Sequence, residues 1–330
     1  MPILRDADDV RLGAVGADRV YLGANIVWES FTPTVATGGA ISDVTIEGRL
    51  YRLHTFTNTS QDNTGEPSQF FTVSSAGQED MDILVVGAGG AGGDDRNDNE
   101  DGPGGGGGGG RVVETTISPE VGAYAVEVST FFRPGGILSV FTSTRSYLLT
   151  PSDVEYFAPN GGFGKPAVLG KSPDGGSSGG GAAVPGLTSA GSTVSGTPVA
   201  GFGNVGGSGA GEGFDAEEEG AGGGGGGAGG AGGNGVAEGS GGDGGEGYIS
   251  SITGVATRYG AGGGGGAGEE VTPGAGGLGG GGAGGAYLSS GQNATSFAKG
   301  SGGGGAGFDG EDGGESDQGV VIIRYPLEAA

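Results

Sequence analysis

The chain has 330 residues, of which 89 are glycine, with no cysteine, one histidine and a formal net charge of -25 from 39 acidic against 14 basic residues. This balance, with no Lys/Arg cluster, argues against a nucleic-acid partner, because a phosphate backbone is tracked by grouped cations. Without cysteine there is no disulfide framework or thiolate metal site, and the lone His54 makes most zinc sites and Ser-His-Asp chemistry improbable.

The opening residues Met1, Pro2, Ile3, Leu4, Arg5 and Asp6 lack the apolar core of a signal peptide, and no run approaches the ~18 apolar residues of a membrane span. A soluble protein without a cleaved leader and without membrane insertion is expected. Val10, Arg11, Leu12, Gly13 and Ala14 return as Val20, Tyr21, Leu22, Gly23 and Ala24, followed by Asn25, Ile26, Val27 and Trp28. This pattern predicts two or three short strands joined by tight turns. So small a unit buries no core alone and leaves edges open to another chain. Residues 1–30 are therefore read as an N-terminal β docking unit, with Tyr21, Leu22 and Trp28 as candidate docking residues.

Residues 31–48, with Pro33, Gly38 and Gly39, read as a connector holding one short strand at 44–46. A sandwich-like β domain is predicted over 49–160. Within it, 51–57 and 69–74 alternate, and 81–86 is a continuous apolar run of buried-strand length. The runs 111–117 and 123–128 follow, with Pro119 and Gly122 marking the turn, and 137–142 with 145–149 suggests another hairpin. Gly, Pro or β-branched residues interrupt every window with helical spacing, so the fold class is all-β.

Glycine enters first at 87–110 and returns over 161–319, before the closing strand of residues 320–330 with Val320, Val321, Ile322, Ile323, Arg324 and Tyr325. No Gly-X-Y triplet repeats and Pro totals only 14, which excludes collagen. The unbroken runs 104–110, 222–227 and 262–266 predict polyglycine II, an extended left-handed three-fold helix with no internal hydrogen bonds. Its amides and carbonyls need partners when buried, and neighbouring helices can supply them. Any inward Cβ would hold two backbones apart. The prediction is a many-stranded bundle inserted in the β domain, with that domain as its template.

Four stretches resemble the glycine-rich domain of bacteriophage tail and tail-fibre proteins. Leu53, His54, Thr55, Phe56 and Thr57, with Phe71, Thr72 and Val73 and then 82–87, resemble its opening. Ser251, Ile252, Thr253, Gly254 and Tyr259 are similar to its internal segment, and 319–326 to its closing strand. The repeat around Leu22, Gly23 and Trp28 is similar to the start of minor tail proteins of phages infecting actinobacteria. The resemblance implies a virion component at the tail tip or on a fibre, made in the host cytoplasm. It also implies host-surface binding through a bacterial glycan or protein, other tail proteins as partners and a homo-oligomer, often a trimer. It carries over no catalytic residue. No heptad stalk or shaft repeat is present, so a tail-tip decoration or short adhesin fits better than a long fibre.

Two motifs compete with that reading. The run 83–86 followed by Gly87, Ala88, Gly89, Gly90, Ala91 and Gly92 matches the strand plus G-x-G-x-x-G fingerprint of flavin and nicotinamide enzymes. That motif requires a helix behind the glycines, and here Asp94, Asp95, Asp98, Glu100 and Asp101 follow, which disfavour both helix and phosphate. The same acidic run fails the helix-flanked calcium loop, because Glu100 stands where Gly is needed. No enzyme activity and no cofactor or metal site are assigned. Among isolated aromatics, Phe202 and Phe214 are candidate receptor-facing residues, whereas Tyr248, Tyr259 and Tyr287 are read as packing and His54 as structural. A purely architectural tail-tip subunit is the alternative.

Overall fold

The computed structural model describes residues 11–12, 15–16, 19–22, 25–57, 69–94, 102–130, 145–164, 176–183, 203–211, 219–295, 299–310 and 312–329. Every element among the described residues is a strand, as the all-β expectation required. The N-terminal region holds two two-stranded sheets: β1 (Arg11–Leu12) with β2 (Val15–Gly16), and β3 (Arg19–Leu22) with β4 (Asn25–Glu29).

The body is a sandwich of two antiparallel five-stranded sheets. One is ordered β10 (Val112–Ile117), β9 (Met81–Val86), β16 (Val320–Pro326), β7 (Arg49–Phe56), β6 (Ala40–Ile46). The other is ordered β13 (Glu155–Pro159), β12 (Arg145–Leu149), β11 (Gly122–Glu127), β8 (Gln69–Ser75), β5 (Val35–Thr37). Their facing sides interdigitate Phe56, Ile83, Val85, Val321 and Ile323 with Phe71, Tyr124, Val126 and Leu148. Burial of one such side chain stabilises by about 1.5–3 kcal/mol.

β5 and β6 come from the stretch read as a connector, in which only 44–46, the end of β6, was expected to be a strand. They are edge strands with mostly exposed residues, so they lack the apolar signature of a core strand. Positive φ at Gly38 (115°) and Gly39 (61°) turns the chain from one sheet into the other, and a Cβ on Gly38 would run into the Phe70 carbonyl. β13 was not anticipated either. The expected partner of 145–149 at 137–142 lies outside the described residues, and β12 pairs instead with β11 and β13.

β9 and β16 are buried on both faces because β14 (Tyr248–Ser250) and β15 (Thr257–Tyr259) form a hairpin over the outer side of their sheet. Ile252 and Tyr259 pack there on Leu53, Leu84, Val86, Val320 and Ile322. Arg324 fastens the hairpin, donating from Nη1 to the Ser251 and Ile252 carbonyls at 3.2 and 3.1 Å and from Nη2 to Asp82 Oδ2 at 2.6 Å. Parallel sheets are usually covered on both faces; here a glycine-domain hairpin gives an antiparallel sheet the same cover and reads as two continuous apolar runs.

Beyond the sandwich, the strands pass directly into glycine segments: β9 into 87–93, β13 into 160–164, and 102–110 and 313–319 into β10 and β16. The segments bond sideways in four rows. The first row is 160–164, 87–93, 313–319 and the second 176–183, 102–110, 300–307, 289–295. The third is 203–210, 220–228, 260–267, 280–286 and the fourth 229–235, 240–247, 272–278.

Donors recur every third residue, the period of a three-fold helix: Gly104, Gly107 and Gly110 donate to Ala306, Gly303 and Gly300 at 2.8–2.9 Å. The same segment donates to 223–226 and to Gly162, and accepts from Gly90 and Gly93, from Gly263 and Gly266, and from Ser177, Gly180 and Ala183. Six neighbours thus surround 102–110, and the same holds for 220–228, 260–267 and 300–307. Packing is close enough that a Cβ on Gly106 would stand 2.1 Å from the Gly263 oxygen. This is the polyglycine II bundle the glycine runs predicted, grown from strand ends that fix its first row.

Position in the lattice follows sequence phase. Segments with six neighbours are nearly unbroken glycine, whereas peripheral ones carry a side chain at every third place, such as Ala231 and Asn234 or Asp243 and Glu246. All four of these last side chains are in exposed or half-exposed residues.

Candidate functional site

The bundle has two unlike ends. At the end on the sandwich, the left-handed turns use glycine, as at Gly260 (φ 70°) and Gly300 (φ 81°). At the distal end the left-handed positions among the described residues are Glu238 (54°), Leu288 (57°) and Asp309 (52°). Holding a non-glycine residue there costs on the order of 1–2 kcal/mol, least for Asp and most awkward for Leu. Leu288 is 62% exposed, so its burial returns little of that cost.

Leu288 N donates to Phe308 O at 2.8 Å, tying two distal turns together. Beside this bond the half-buried rings of Tyr287 and Phe308 stack with centroids 6.2 Å apart. The described residues of the turns at this end (94, 102, 211, 219–220, 236–240, 267–272, 286–289, 307–310, 312–313) include seven acidic ones, Asp94, Glu219, Glu238, Glu269, Glu270, Asp309 and Asp312, and no basic one. The distal end is therefore a strongly negative surface with a small aromatic and aliphatic patch.

The candidate receptor-facing Phe202 and Phe214 both lie outside the described residues. Of the docking candidates, Tyr21 and Leu22 are on β3 and Trp28 on β4, with Val20 opposite Trp28 and a bulge between Val20 and Tyr21. Tyr259 packs as expected, and Tyr287 packs only in part, against Phe308. Tyr248 is 40% exposed, contrary to the packing assigned to it, because its short strand lies at the rim of the covering hairpin. The patch at Leu288 was missed by sequence reasoning, since a leucine after Tyr287 carries no signal of its left-handed backbone.

His54 is structural: fully buried, it shares Nδ1 with the Gly38 carbonyl at 2.7 Å and Nε2 with the Tyr325 hydroxyl at 3.0 Å. A neutral ring donating from Nδ1 and accepting at Nε2 satisfies both contacts. Burial holds its pKa below the ordinary histidine value, with the Gly38 bond opposing the shift.

The dinucleotide-like hexapeptide 87–92 forms part of the bundle instead of a phosphate loop. Gly89, Gly90 and Gly92 donate to Asp317, Gly108 and Gly314, and the chain runs on without a helix through Asp94. The amides such a motif would offer to pyrophosphate are already bonded. Of the acidic run weighed for calcium, 95–101 lies outside the described residues. Among the described residues no group of three His, Cys, Asp or Glu side chains is placed to hold a metal ion, and no helix is long and apolar enough to cross a membrane.

A comparison with known families matches residues 63–326 to the glycine-rich domain family. The match takes in the sandwich from before β8 and the whole bundle through the end of β16, so the chain belongs to that family. No curated protein matches the chain.

Proposed function

We propose that this chain is a non-enzymatic structural component of a bacteriophage tail, located in the virion at the tip or on a short fibre. In this reading the glycine-rich bundle is presented for attachment to a host-surface glycan or protein. The N-terminal hairpins, through Tyr21, Leu22 and Trp28, dock onto other tail proteins. The observation that supports it best is the polarity of the bundle. One end grows out of a sandwich through four continuous strands, and the other retains strained side chains where glycine would cost less.

A cross-bonded bundle suits display of turns away from an anchoring domain. The resemblance of the opening, internal and closing segments to tail proteins agrees with it. Fluorescently labelled full chain added to host cells tests the attachment. Saturable binding that competes with infection is the expected result. A chain that is present in purified particles but binds no host cells would leave the architectural subunit as the function, and absence from particles would refute the tail assignment itself.

A further inference from the structure

The segments 272–278, 280–286 and 289–295 end three successive rows and form one flank of the bundle. In the interior every glycine helix is bonded on six sides, but this flank is an unfinished edge of the lattice. Among the described residues nothing accepts from the amides of Gly276, Ala283 and Ala286, and nothing donates to the carbonyls of Gly276 and Gly281. Donors and acceptors of the same kind as the interior ones therefore stand side by side on one surface. Such a surface is self-complementary: rotated by a two-fold axis, its donors meet its own acceptors.

Charge selects the occupant. From Val271 to Ala298 the sequence contains no Asp, Glu, Lys or Arg, in a chain of net charge -25. The adjoining flanks differ, with Asp243 and Glu246 on one side and Asp312 and Glu315 on the other. Two copies approaching through those flanks repel, whereas this one lets them meet without opposing carboxylates. Its exposed residues are uncharged and include Pro273, Ala275, Leu278 (59% exposed), Ala286 and Leu288.

We propose that this flank is the contact between two copies of the chain, in which the glycine lattice continues from one copy into the other across a two-fold axis. It takes up the homo-oligomer of the tail reading and replaces the three-fold that the resemblance implies with an isologous pair. It does not depend on where in a virion the chain sits. Seven residues at ~3.1 Å rise and three helices at about 5 Å spacing give roughly 300 Å² per copy, well below the ~800 Å² per partner of stable complexes. The pair is correspondingly weak in solution and gains from the high effective concentration of an assembly.

Sedimentation of the full chain up to about 1 mM, at low and at 0.5 M salt, provides the test. The expected result is a monomer–dimer equilibrium that tightens with salt as the flanking carboxylates are screened. Ala283→Glu, and separately Leu278→Asp on the neighbouring segment, should each weaken dimerisation at least tenfold with an unchanged melting temperature. Ala231→Glu on a different flank should lie far closer to the wild type. A monomer at every concentration, a trimer, or a dimer indifferent to both flank substitutions would overturn the proposal. Host-cell binding is read separately, so neither outcome decides the attachment reading.

Discussion

Gly225→Ala probes the lattice with one methyl group. Gly225 lies in 220–228, and a Cβ there would stand 2.0 Å from the carbonyl oxygen of Gly107. Restoring an ordinary 3.4 Å contact moves that oxygen by about 1.4 Å, and no flexible side chain is available to yield, since the neighbour is backbone. The displaced carbonyl accepts from Gly263 N at 2.8 Å, while Gly225 N donates to Gly263 O and Gly107 N to Gly303 O, also at 2.8 Å. A shift of this size stretches such bonds past 3.5 Å. Losing two or three buried amide bonds at about 1–1.5 kcal/mol each, with desolvated groups left unpaired, predicts destabilisation of about 3–5 kcal/mol.

Gly230→Ala is the matched control. A Cβ there meets nothing nearer than 3.5 Å, and its φ is not in the left-handed region. It should be neutral or stabilising by about 0.4–1 kcal/mol, through reduced entropy of the unfolded chain. Chemical denaturation followed by far-UV circular dichroism, with calorimetry alongside, measures both. Equal stability of Gly225→Ala and wild type would refute the close-packed lattice, and equal losses in both variants would refute its dependence on position.

Three further outcomes are expected. Because burial lowers the His54 pKa, the unfolded chain binds the proton more readily between the folded value and the ordinary 6.5. The stability that His54 contributes is thus present above pH 6.5 and falls on acidification through that window, by at most about 1.4 kcal/mol per pH unit. His54→Gln should flatten that part of a melting-temperature profile between pH 7.5 and 5, and an unchanged slope would show that His54 does not titrate there. Tyr325→Phe leaves the His54 Nε2 without its hydroxyl partner and should cost about 1–3 kcal/mol in a denaturant titration.

Lys299→Met strands Asp317, which is largely buried and bonded to the ammonium at 3.2 Å; burial raises the Asp317 pKa, with Lys299 opposing. The single variant should lose about 1–3 kcal/mol, and adding Asp317→Asn should recover part of it; a double variant no better than the single would show that the pair is not coupled.

The strands that bury side chains were legible in the sequence because burial leaves a pattern: the apolar runs of β9 and β16, and the alternation of β7 and β8. β5 and the first part of β6, before the strand read at 44–46, left none, since Val35, Ile41 and Ser42 are exposed at sheet edges and their pairing is set by the Gly38–Gly39 turn. Glycine told the form of the bundle but not its arrangement. A residue with no side chain specifies how near a neighbour can come, not which neighbour it is.

The six neighbours of 102–110 thus emerged only from the bonds, while the unbroken glycine of 104–110, 222–227 and 262–266 did mark interior positions. At the distal end the acidic residues were visible as charge. The left-handed Leu288 and its link to Phe308 were not, because they depend on two turns twenty residues apart meeting in space.

Native-state amide exchange at Gly106, Gly107, Gly225 and Gly263 tests the lattice most directly. Bonded on all sides, these amides should exchange as slowly as those of β9 and β16, through global unfolding only. Exchange near the rate of free glycine peptides at these positions would contradict a bundle held together through its backbone.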